Sequence, residues 1–166
     1  MLCFVCLFCS CTKKQTIQYD TQLDFPSSLV KYSFGDNEYK GIDSRTKIVA
    51  VYDSLVCGPC SVNRLIMWKD VLEFVDNNKE RVSLVIIFSP KRDEYSYIEE
   101  AISSNPIDYP IYLDRDNLFL KSNKVSKGIS VCLLDSCNNV ILRGMPIGND
   151  ALWNHYKDLI INDEHI

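Results

Sequence analysis

The chain has 166 residues, enough for one well-buried domain and short for two. Hydrophobic residues make up 46% and charged residues 24%, the make-up of a globular fold, and a formal net charge of -4 gives no basic face for nucleic acid. No stretch approaches the roughly 18 to 20 apolar residues of a membrane-spanning helix.

The first eleven residues, "MLCFVCLFCSC", form an apolar run that ends in small residues and is followed by Thr12-Lys13-Lys14-Gln15. A short apolar segment before a small residue marks an export signal rather than a strand. The run resembles a bacterial lipoprotein signal, with Ser10 before the cleavage point and Cys11 as the acylated residue. That resemblance implies a protein held by acyl chains at a membrane of the bacterial cell envelope, facing the periplasm. Phe8 and Cys9 depart from the usual motif, and no positive charge precedes the run. The alternative is a Cys-rich apolar tail. Residues 12–25 are mostly polar and are expected to form a tether.

Residues 26–46 are expected to add an N-terminal hairpin, with Gly35-Asp36-Asn37 as its turn. From Lys47, "KIVAVYDS" is a β-branched apolar run that predicts a buried strand. The quartet Cys57-Gly58-Pro59-Cys60 follows. After it Val62, Leu65, Ile66, Trp68, Val71, Leu72 and Val75 recur at helical spacing, and Asn77-Asn78 ends that helix. "VSLVIIF" (82–88) predicts a second strand, and 92–104 predicts a helix with acidic residues near its start, which suits the dipole. A third strand is expected over 108–114, then a short helix from Asp114 to about Asn123. Residues 130–135 and 140–144, joined by Ser136-Cys137-Asn138-Asn139, predict a β-hairpin. A last helix is expected from about Asn149 to Ile161, with Trp153 on its apolar stripe as Trp68 is on the earlier one. The order β-α-β-α-β-α-β-β-α predicts a single α/β domain, a three-layer sandwich about a central mixed sheet.

Eight cysteines fall into three groups: Cys3, Cys6, Cys9 and Cys11; the pair Cys57 and Cys60; and Cys132 with Cys137. The central pair carries the chemistry. Cys57 follows a strand, and Pro59 is placed to open a helix, where its missing N–H is not needed. Cys57 then faces the unpaired N–H groups of the helix start, which favour thiolate over thiol. A thiolate there attacks a disulfide, and Cys60, one turn on, attacks the mixed disulfide. Structural zinc needs four ligands, whereas the remaining candidates are Cys132, Cys137, His155 and His165, scattered late in the chain. No metal and no cofactor is expected. A static disulfide or two idle thiols stays open.

Strand, Cys-Gly-Pro-Cys, helix, strand, then hairpin and final helix resembles the thioredoxin fold over residues 26–163. The inserted helix and "YPIYLDRDNLF" are similar to the membrane-anchored thioredoxin-like oxidoreductases and the peroxiredoxins. The resemblance implies Cys57 as nucleophile, Cys60 as resolving thiol, and protein thiols or disulfides as partners. Four positions depart from it: Val56 replaces tryptophan, Val51 a buried acid, Leu65 a helix-kinking proline, and Ile129 the cis-proline that faces the disulfide. Gly128 and Ile129 therefore stand where substrate backbone would pair, with a trans bond expected at Ile129. A peroxiredoxin-like peroxidase would use Ser54, three residues before Cys57, and Arg143 beside the thiolate, but carries Ala50 where that family has proline. A non-catalytic module with a vestigial pair is the remaining alternative. Cys132 reads as a small core residue, Cys137 as a turn residue and both histidines as exposed.

Overall fold

The computed structural model describes residues 21–32, 42, 46–104, 109–125 and 127–162. The expected signal segment 1–11 with Cys11, the Gly35–Asn37 turn and His165 lie outside the described residues. The elements are β1 (Val30–Tyr32), β2 (Thr46–Tyr52), α1 (Gly58–Asn63), α2 (Lys69–Asn77), β3 (Val82–Phe88) and α3 (Tyr95–Ser104). They continue with β4 (Ile111–Leu113), α4 (Leu118–Ser122), β5 (Ile129–Leu134), β6 (Val140–Arg143) and α5 (Asp150–Ile161). One sheet has the order β1-β4-β3-β2-β5-β6, with β2, β3 and β4 parallel and the other pairings antiparallel. The mixed sheet between two covering layers is the architecture that the element order predicts.

Strands β2 and β3 are buried along their whole length, as β-branched runs in a central parallel pair must be. Alternate residues divide between two cores. Ile48, Ala50, Tyr52, Leu84, Ile86 and Phe88 meet α1, α2, α3 and α5, while Val49, Val51, Val85, Ile87 and Cys132 meet Phe119 of α4 and Leu23.

Several expectations need correction. Residues 21–25 are not free tether: Gln22 bridges Asn139, the Leu23 N–H donates to the Asn138 carbonyl, and Leu23 is buried. An apolar Leu and Phe among polar neighbours gave them a reason to pack. β1 pairs with β4, and Tyr32 is pinned there because its hydroxyl donates to Glu99 at 2.5 Å while Arg115 pairs with both. The Tyr32 bond, and then the Arg115 charge, hold the Glu99 carboxyl below its ordinary pKa against partial desolvation.

The helix after the cysteines is broken. α1 ends at Asn63, a 3-10 turn spans Leu65–Trp68, and α2 follows. In a 3-10 turn residues three apart eclipse, which turns Leu65 and Trp68 inward together and leaves Ile66 75% and Met67 59% exposed. Ile66 therefore does not belong to the buried stripe. The strand expected over 108–114 shrinks to three residues, because Pro110 offers no N–H and the Leu84 N–H donates to the Tyr109 hydroxyl instead. The short helix begins only at Leu118, although Asp114 reaches forward to cap it.

Candidate functional site

Cys57 and Cys60 form a disulfide at the carboxyl end of β2, with their Cα atoms 5.3 Å apart. Both residues are exposed. Cys57 is the N-cap of α1 and has extended backbone; its Sγ accepts from the Cys60 N–H at 3.3 Å and its carbonyl from the Ser61 N–H at 2.9 Å. Pro59 falls within the first helical turn, where it sacrifices no hydrogen bond. Because α1 is only six residues long, the field at Cys57 comes from these first-turn N–H groups rather than from a long helix.

Gly58 is a close-approach position. A Cβ there would lie 2.3 Å from Ile98 Cδ1 and 2.8 Å from Ile98 Cγ1, so α1 rests directly on the fully buried Ile98 of α3. Below the pair, the Trp68 indole N–H donates to the Tyr52 hydroxyl at 2.9 Å, and the Tyr52 ring stacks on Phe88 at 4.7 Å between centroids. Burial pushes the Tyr52 hydroxyl pKa up, outweighing the Trp68 bond, so it stays a neutral phenol.

Val51 is buried in the core, so no carboxyl stands there, and Val56 packs half-buried against the helices. Asp53 is the acid at this end of β2, and sequence reasoning overlooked it. It is buried, and its Oδ1 accepts from the Leu55 N–H at 2.7 Å while its Oδ2 accepts from the Gly128 N–H at 2.8 Å. The first bond is a local Asx turn, legible in Asp53-Ser54-Leu55; the second crosses 75 residues and has no sequence signal.

Gly128 and Ile129 are thereby brought beside the segment that leads to Cys57. Gly128 has φ +87°, a left-handed conformation suited to glycine, and its carbonyl accepts from the Asp53 N–H at 3.0 Å. Ile129 follows with a trans peptide and is 42% exposed; Leu55 is 67% exposed. These are large apolar side chains left in solvent on either side of the tie between the two segments.

Arg143 sits on β6 opposite Cys132, and its charge acts on the Cys132 thiol. Cys132 is buried and free; burial pushes its thiol up to about 12, against a small opposing effect of Arg143. Cys137 is free and exposed in the β5–β6 turn, whose backbone N–H groups at Cys137 and Asn139 are held by Asp135. His155 is exposed on α5.

No protein-family model matches the sequence, and no curated protein does. Solved structures do match the fold. A putative thiol:disulfide interchange protein DsbE from Chlorobium tepidum aligns at 13% identity and TM-score 0.55, over 72% of this chain and 82% of that one. StoA from Bacillus subtilis aligns at 17% identity and TM-score 0.53, over 69% and 84%. A thioredoxin-like protein solved in its oxidized form aligns at 16% identity and TM-score 0.55, over 86% and 98%. The chain has a thioredoxin-like fold.

Proposed function

We propose that this protein is a thiol–disulfide oxidoreductase that acts on protein thiols or disulfides through Cys57 and Cys60. The observation that carries the reading is the exposed Cys57–Cys60 disulfide at a strand-to-helix turn, with the Cys60 N–H directed at Cys57 Sγ. In the reduced state that N–H stabilises a Cys57 thiolate, the attacking species in exchange. The thiolate attacks one sulfur of a substrate disulfide, forming a mixed disulfide and expelling the other sulfur as a thiolate. Cys60 loses its proton to solvent and attacks Cys57 Sγ. The Cys57–Cys60 disulfide forms, and the substrate leaves as a dithiol, having taken two electrons from the pair. The reverse sequence oxidises a substrate dithiol. Solved structures of the same fold described as thiol-disulfide oxidoreductases support the reading.

Equilibration in glutathione buffers of graded ratio tests it. A single two-electron transition between reduced and disulfide forms is expected, read by thiol-trapping mass shift. A pair that never closes or never opens across the buffer range ends the oxidoreductase reading in favour of a binding module.

The reading also places the protein outside the cytoplasm of a bacterium, tethered to the membrane by acyl chains on Cys11. The apolar run that ends in Ser10-Cys11 supports this placement. Metabolic labelling with a palmitate analogue is expected to mark the wild type and not Cys11→Ala; label that survives the substitution rejects Cys11 as the anchor.

A further inference from the structure

We propose that Asp53 is the positioning residue that ties the Gly128–Ile129 segment to the turn leading into the redox pair, in a chain that has isoleucine rather than proline at position 129. The inference rests on the oxidoreductase reading above and extends it.

The argument begins with how β2 ends. Tyr52 and Ile129 are the last antiparallel partners of β2 and β5, and one step further the Asp53 N–H still donates to the Gly128 carbonyl. In a regular ladder the Asp53 carbonyl would receive the Gly128 N–H in return. It does not, because that carbonyl accepts from the Val56 N–H and closes the turn leading to Cys57. The side chain takes over: Oδ2 accepts from the Gly128 N–H at 2.8 Å, and Oδ1 accepts from Leu55 at 2.7 Å. One carboxylate therefore bonds both segments, four residues before Cys57 and one residue before Ile129.

The bond has a consequence at Ile129. Gly128 and Ser130 face β2, so alternation turns the Ile129 N–H and C=O to the other edge of β5. On that edge β6 pairs only as far as Arg143 opposite Cys132, and the Gly144 N–H reaches Val131. Beyond it lies a depression of about 220 Å³ lined by Ile129, Ser130, Val131, Arg143, Gly144 and Met145. An extended substrate segment can pair with the Ile129 backbone there only if that backbone is held still. A cis-proline would hold it covalently; here the Asp53 carboxylate does so by hydrogen bonds.

Steady-state reduction of insulin disulfides by the wild type, Asp53→Ala and Asp53→Asn, with dithiothreitol as electron donor, tests the assignment. The separate rate at which dithiothreitol alone reduces the Cys57–Cys60 disulfide is the control, because a small dithiol needs no backbone pairing. Asp53→Ala is expected to lower kcat/KM for insulin about tenfold, mainly through KM, with the dithiothreitol step within about twofold of wild type. Asp53→Asn keeps one acceptor and is expected to lie between, so it decides the matter should the alanine variant fail to fold. Amide exchange at Gly128 is expected to quicken in both variants. Unchanged insulin kinetics in Asp53→Asn, or equal losses on insulin and dithiothreitol, overturn the positioning role alone. Wild-type protein that dithiothreitol reduces but that passes no electrons to insulin overturns the oxidoreductase reading and this assignment with it.

Discussion

Cys57→Ser is expected to abolish thiol–disulfide exchange, whereas Cys60→Ser is expected to stop it halfway and accumulate a mixed disulfide. The asymmetry follows from the site. Cys57 is the N-cap residue whose sulfur receives the Cys60 N–H, which makes it the attacking thiol of the proposed exchange, and a serine hydroxyl cannot replace a thiol in that step. Cys60 lies one helical turn away with its Cα 5.3 Å from that of Cys57, so its attack is intramolecular. Its removal leaves resolution to external thiol, which costs about a hundredfold or more in turnover because the effective concentration of a positioned neighbour is so high. Non-reducing mass spectrometry after mixing with a protein disulfide reads the trapped adduct. An adduct on Cys57→Ser and none on Cys60→Ser would reverse the assigned roles.

The largest stability loss is expected at Asp114. This carboxylate is buried, and it accepts from the Ser89 hydroxyl and from the N–H groups of Leu118, Phe119 and Leu120. It joins the end of β4 to the end of β3 and starts α4. Alanine leaves a buried hydroxyl and the buried Phe119 N–H without an acceptor, each costing about 1–3 kcal/mol, so a total of about 2–6 kcal/mol is expected. Asparagine, which keeps one oxygen, is expected to lose about half. Urea unfolding checks this as a lower midpoint at constant slope. A loss below about 1 kcal/mol would mean that water or a rearranged loop satisfies those groups.

What the sequence made legible follows from physics that acts locally. "KIVAVYDS" and "VSLVIIF" announce buried strands because β-branched runs suit strands covered on both faces, and both form as expected. The C-x-x-C pair was visible because its two sulfurs are three residues apart. The break at Leu65–Trp68 was not, because Ile66 fits a 3.6-residue stripe as well as its neighbours do, and only the inward pull of Trp68 toward Tyr52 selects the tighter turn. β1 shows no alternation over three mostly exposed residues; what holds it is the Tyr32, Glu99 and Arg115 cluster, drawn from three distant segments. Asp53 escaped for the same reason. Its decisive partner is brought in by the pairing of β2 with β5, which no window of neighbouring residues contains.

Cys132 has a use that its inertness creates. It lies in β5 with β2 on one side and β6 on the other, fully buried, and burial pushes its thiol pKa far above the ordinary value, so it stays protonated. An alkylating reagent therefore reaches it only when the sheet opens, so its modification rate is a clock for global unfolding. Exposed Cys137 reacts at once and serves as the internal standard, while Cys57 and Cys60 react only in the reduced protein. One reagent and one peptide map thus report redox state and opening of the core in the same sample.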